Sequence, residues 1–104
     1  MTAKNIRVVV FKDGDAWVAH CVEFDIAAQA SDLASLKRRL QATIELDLKV
    51  SMDRSGVPFG GIGRAPQYIE EMWDSMPMAF KESAKAKTDG RVPATVDYEM
   101  ALCA

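Results

Sequence analysis

Residues 5–22 read NIRVVVFKDGDAWVAHCV, two Val-rich runs on either side of Lys12-Asp13-Gly14-Asp15. An Asp-Gly pair between two such runs is a strong hairpin signal, because both central residues of a type I′ turn need positive φ. Residues 5–11 and 16–22 are therefore expected as the first two strands. Taking Asp13 and Gly14 as the two-residue loop pairs Lys12 with Asp15, Val10 with Trp17, Val8 with Ala19 and Ile6 with Cys21. Alternation then places Ile6, Val8, Val10, Trp17, Ala19 and Cys21 on one wholly apolar face. The opposite face carries Arg7, Val9, Phe11, Ala16, Val18, His20 and Val22. It is too apolar to be left to water, so another element or another chain is expected to cover it.

Downstream of the acidic turn at Glu23 and Asp25, residues 26–30 are short and Ala-rich and suit a third strand against which something packs closely. Asp32 is placed to cap a helix, with Ser35 three residues on. From Leu33 the apolar residues recur at 36, 40, 44 and 48, which at about 100° per residue confines them to a stripe of roughly 120°. Lys37 and Asp47 stand at its margins; a lysine there is explained by its apolar stem. Leu46 and Val50 lie on a different flank, which points to a second contact for the last turns. Ser55, Gly56 and Pro58 should end this helix by Arg54.

A Gly-rich loop then runs to Pro66, which suits the first turn of a second helix bearing Tyr68, Ile69, Met72, Trp73 and Met76 on one stripe before Pro77. Residues 81–91 are polar, with little to bury, and read as an exposed connection. Val96, Tyr98, Met100 and Leu102 alternate with polar or small neighbours, as in a half-buried strand added to the edge of the sheet. The expectation is one α+β domain over 1–104 on a small antiparallel sheet, β-β-β-α followed by a short helix and a C-terminal edge strand. Its parts are a core at 5–52, a loop and second helix at 53–80, the connection at 81–91 and the last strand at 94–102.

A chain of 104 residues buries roughly two-thirds of the surface it exposes when unfolded, enough for a core without staples. Apolar residues make up 49% and charged ones 27%, as in ordinary globular proteins. Thirteen basic and fifteen acidic side chains give a net charge of -2, which argues against a broad phosphate-contacting surface. The two cysteines, Cys21 and Cys103, read as reduced thiols in a cytoplasmic protein. No signal-like N-terminus and no span of membrane length is visible in the sequence.

His20, Cys21, Glu23 and Asp25 form the densest set of reactive groups. His20 and Cys21 are strand neighbours and point to opposite faces, so they cannot share a metal or a proton. One His and two Cys cannot supply a typical structural zinc set. Two carboxylates around magnesium would need Asp13, Asp15, Glu23 or Asp25 held in pairs on rigid elements, and the first two belong to a hairpin tip. Gly60-Gly61-Ile62-Gly63 lacks the preceding strand and the Lys-Ser or Lys-Thr of a nucleotide loop and reads as a flexible connector. Lys37, Arg38 and Arg39 read as a solvated helix face. No catalytic, cofactor or metal residues are therefore assigned. The candidates for protein contact are Val9, Phe11, Val18, His20, Val22, Leu46, Val50, Tyr68 and Trp73.

The series Val8-Val9-Val10-Phe11, Asp13-Gly14, Trp17-Val18-Ala19, Cys21-Val22-Glu23, Ile26-Ala27-Ala28-Gln29-Ala30 and Asp32-Leu33 resembles the HicB-like family of bacterial antitoxin domains. The resemblance covers residues 5–50 and is closest to short, solitary members, since the C-terminal part has neither a helix-turn-helix nor a ribbon-helix-helix pattern. It implies a partial ribonuclease-H-like core without a catalytic carboxylate set, acting by protein contact. The implied partner is a small mRNA-cleaving, HicA-like toxin, and self-association is expected alongside it. A metal-dependent nuclease using Glu23, Asp25 and His20 is the alternative, and a weak nucleic-acid-binding regulator the second.

Overall fold

The computed structural model describes residues 5–76, 81–88 and 93–102. Its elements follow in the order β1 (Ile6–Asp13), β2 (Ala16–Cys21), β3 (Ala27–Ala30), α1 (Leu33–Ser55), α2 (Gln67–Asp74), β4 (Lys81–Thr88) and β5 (Ala94–Leu102). The strands form one five-stranded sheet in the order β3-β2-β1-β5-β4. It is mixed, because β5 runs parallel to β1 while the other three pairings are antiparallel. The expectation of a purely antiparallel sheet is thus corrected, and so is the position of the C-terminal strand. β5 is apolar on one face and small at Ala101 on the other, so it gains more by lying inside the sheet, between β1 and β4, than at its edge.

The β1–β2 hairpin forms with a shifted register. Val8 pairs with Cys21, Val10 with Ala19, Lys12 with Trp17 and Asp13 with Ala16, leaving Gly14 and Asp15 as the loop. Gly14 has φ 62, whereas Asp15 does not enter the positive-φ region. The glycine therefore takes the first central position, the one that a side chain would strain, in the manner of a type II′ turn. The shift moves each partner by two residues, so both faces keep their membership.

α1 caps and ends as its sequence dictates. The Asp32 carboxylate accepts from the Ser35 backbone N–H, and Gly56 closes the helix in the left-handed conformation at φ 71, its N–H donating to the Met52 carbonyl. Leu36, Leu40, Ile44 and Leu48 are buried against Ile6, Val8, Val10, Ala19, Cys21, Val96, Tyr98 and Met100 on one face of the sheet. α2 starts at Gln67, with Pro66 in the capping position just before it, and covers the other face. There Ile69 and Trp73 bury Val9, Val22 and Ala101. Met72 and Met76 are half-buried, but Tyr68 points outward at 54% exposure and leaves the expected stripe. Pro77 lies outside the described residues.

Two further expectations are overturned. Residues 81–88 of the expected connection form β4, and 89–91 lie outside the described residues. Ala84 and Ala86 face α1, with Ala86 fully buried, while Lys85 and Lys87 are exposed along the sheet's outer edge. Charged edge residues discourage pairing with a further strand, and the same charges hide the strand in a sequence reading. The Gly-rich loop is also more than a connector. Phe59 sits at φ 58, an uncommon position for a side chain, and is buried with its ring 4.7 Å from that of Phe24. Its N–H donates to the Oγ of buried Ser51, which in turn donates to the Leu48 carbonyl.

Ala86→Asp should destabilise the chain by about 2–4 kcal/mol in urea unfolding, because it buries an unpaired charge. Lys87→Gln should stay within about 0.5 kcal/mol. Equal, negligible effects at the two positions would show that this segment is not a strand.

Candidate functional site

The second face of the sheet is where sequence reasoning placed most contact residues, and the structure divides it. Val9, Val22 and Trp73 are buried within the chain, so these three candidates are core residues and are corrected as such. Phe11, Val18 and His20 remain partly exposed on the same face. Leu46 and Val50, at 60% and 48% exposure, lie on the outer side of α1, and Tyr68 lies on the outer side of α2.

Beside the buried Ile69 and Trp73, a charged network ties α2 to β1. The ladder between β1 and β2 ends at Cys21, after which the Val22 N–H still donates to the Arg7 carbonyl. The Arg7 N–H is met by the side chain of Glu23, whose Oε1 accepts it at 2.8 Å. The other Glu23 oxygen accepts from the Arg7 Nε, and the Arg7 Nη2 reaches Glu70 of α2 at 3.2 Å. Arg64 completes the set with a 3.0 Å bond to the second Glu70 oxygen. Burial by itself lowers the Arg7 pKa, but the hydrogen bonds and charges of Glu23 and Glu70 outweigh it and raise it. The Glu70 carboxyl is held below its usual range, first by the Arg7 hydrogen bond and also by Arg64. At the far end of α2, the Lys81 ammonium stands 4.4 Å from the centre of the Trp73 ring.

The groups weighed for catalysis are placed as follows. His20 and Asp25 come together, Nε2 to Oδ1 at 2.7 Å, but Glu23 turns away to Arg7. Asp25 also anchors its own turn, its N–H donating to the Gly63 carbonyl. Cys21 points to the opposite face and is fully buried, and burial pushes its thiol up to about 12, reinforced by the charges of Glu23 and Asp47. Among the described residues no group of three or more His, Cys, Asp or Glu is arranged to hold a metal ion. Cys103 lies outside the described residues.

The basic cluster on α1 is engaged within the chain. Lys37 pairs with Glu82 at 2.9 Å, Arg38 donates to the Ser35 Oγ, and Arg39 donates to the Gln29 carbonyl on β3 at 2.9 Å. The Lys37–Glu82 pair borders a small apolar pocket of about 60 Å³ lined by Leu33, Leu36, Leu40, Met100 and Leu102. No helix among the described residues is long and apolar enough to cross a membrane. The Asp47 carboxylate makes no hydrogen bond or ion pair with another described residue, and desolvation raises its pKa.

Arg7 and Glu70 escaped the sequence reading because a network spanning β1, the turn after β2 and α2 leaves no local spacing. Comparison of the chain with family models, with curated proteins and with solved structures found no match.

Glu70 and Asp47 should act on stability with opposite signs. The folded-state pKa of Glu70 is depressed, so its contribution is present above the unfolded-state value and is lost as pH falls through the folded-state value. Glu70→Gln should therefore lower Tm at neutral pH, with the difference from wild type vanishing in acid. The pKa of Asp47 is raised, so its contribution is full below the unfolded-state value and is lost as pH rises through the folded-state value. Asp47→Asn should raise Tm by a few degrees at neutral pH and leave it unchanged in acid. Thermal melts of the two variants from pH 7 down to about pH 3 check both signs.

Proposed function

We propose that this chain is a non-catalytic protein-interaction module of the HicB-like kind, built on a partial ribonuclease-H-like core, that binds and silences a small mRNA-cleaving toxin. The observation that carries this reading is the course of the sheet. Three antiparallel strands precede a capped amphipathic helix, and after α2 and β4 the chain enters β5 parallel to β1, giving the order β3-β2-β1-β5-β4. A mixed sheet with one long amphipathic helix packed on a single face is what supports the core part of this reading.

The disposition of the reactive side chains supports contact over catalysis. Glu23 completes a backbone ladder and balances an arginine, while the Asp25 carboxylate meets His20, so the two carboxylates are turned to different partners instead of to one shared ion. The uncovered part of the second face, with Phe11, Val18 and His20, offers apolar area beside polar groups, the mixture that protein interfaces use. It is assigned here as the toxin-facing surface, and the cytoplasm is the compartment this role requires.

Co-expression with a HicA-like toxin and affinity capture test the reading. Wild type should retain the toxin and block its cleavage of RNA. Val18→Glu, at a partly exposed position, should weaken capture at least about tenfold while leaving the melting curve intact. Failure to bind the toxin would sink the reading. So would magnesium-dependent nuclease activity of the purified chain that disappears in a Glu23→Ala, Asp25→Ala variant.

A further inference from the structure

We infer that a second copy of this chain docks on the outer face of α1, antiparallel to it, about a two-fold axis through Leu46. The inference deepens the interaction-module reading by naming one partner and one surface, distinct from the sheet face assigned to the toxin.

α1 buries its Leu36, Leu40, Ile44 and Leu48 side against the sheet, so at about 100° per residue the line through residues 39, 42, 46, 50 and 53 is the side directed at solvent. A helix face in water ordinarily carries charge and small polar groups at its centre. Here that face carries Leu46 and, toward its margin, Val50, with Ala42 one turn before Leu46 and exposed Lys49 beside them. Leu46 is 60% exposed, and such area on an otherwise charged helix is stabilised by being covered.

The identity of the occupant comes from the pattern along this line. A two-fold axis through one residue of two antiparallel helices places residue i of one copy opposite residue 92 − i of the other when that residue is Leu46. Leu46 then meets Leu46, and the larger Val50 meets the small Ala42, which allows close approach of the two backbones. Arg39 meets Asp53. Each of the outer contacts occurs twice, as an isologous interface requires. The line is therefore complementary to itself in size and in charge.

Arg39 and Asp53 are both exposed and only lightly engaged. Arg39 uses one guanidinium nitrogen on the Gln29 carbonyl, and Asp53 meets Lys49 at 3.4 Å. Both retain bonding capacity for a partner copy. The contact runs over four turns, about 21 Å of helix, and buries few side chains. The association should therefore be weak, with Kd about 1–100 µM.

Light scattering coupled to size-exclusion chromatography, with sedimentation over a concentration series, reads the oligomer. Wild type should shift from monomer to dimer as concentration rises. Leu46→Glu should weaken dimerisation at least about tenfold with an unchanged circular dichroism spectrum, since that position is solvent-facing in the monomer. Arg39→Glu and Asp53→Arg should each weaken it, and mixing those two variants should restore a heterodimer, because both cross-pairs then regain opposite charge. A strict monomer at several hundred micromolar overturns the inference, as does a dimer indifferent to Leu46→Glu. A mixture of the two charge variants that stays monomeric overturns the antiparallel arrangement. Toxin capture by the Leu46→Glu protein is read separately, so failure of the dimer and failure of the toxin reading give different results.

Discussion

The rest of the structure depends on the parallel pairing of β1 with β5. Two antiparallel neighbours can be joined by a tight turn, as β1 and β2 are, but two parallel strands need a connection that leaves one end of the sheet and returns at the other. That connection runs through α1, α2 and β4, and β4, antiparallel to β5, delivers the chain to its start. A helix laid across a sheet must bury a stripe as long as the sheet is wide, and Leu36, Leu40, Ile44 and Leu48 supply one over about three turns. The short strand β3 follows from the same constraint, because it must release the chain at Ala30 in time for Asp32 to cap the helix.

α1 covers one face and leaves the other open, which sets the task of the loop and α2. The loop is anchored from beneath by Phe59 against Phe24 and from the side by the Gly63 carbonyl and the Ala65 N–H, which bond to the turn between β2 and β3. α2 is too short to be stable alone. It is held by two buried side chains and by Glu70 on Arg7, a residue whose backbone and guanidinium are both fixed by Glu23. One glutamate at the end of a strand thus orients the arginine that receives the helix.

How much of this the sequence disclosed depended on whether the signal was local. The hairpin, the cap at Asp32, the α1 stripe and the alternation in β5 are patterns of a few neighbouring residues, and all four elements form. The hairpin register differs by two residues from the one an Asp13-Gly14 loop predicts, and the faces are unchanged because a period of two returns the same side chains to the same face. β4 was missed because its burial is carried by Ala84 and Ala86, residues of low strand preference set among lysines that protect an edge. Phe59 was hidden among glycines, since nothing in the local order says that Ser51, eight residues earlier, will receive its N–H. On the candidate surface the sequence told which side chains share a face. It did not tell that Val9 and Val22 would be covered from within by Ile69 and Trp73, because that contact joins β1 to a helix some sixty residues away.

The sheet separates two apolar clusters of unequal size, a large one beneath α1 and a small one beneath α2. Cooperativity follows burial, so the molecule has two thresholds of opening. The amides of α2 are expected to exchange with solvent through local undocking, and those of β1 and β5 only on global unfolding. Without α2, Val9 and Val22 would stand uncovered beside Phe11 and Val18 on that face. The small α2 cluster, with the Arg7–Glu70 contact at its rim, is thus the layer that keeps the apolar centre of that face covered.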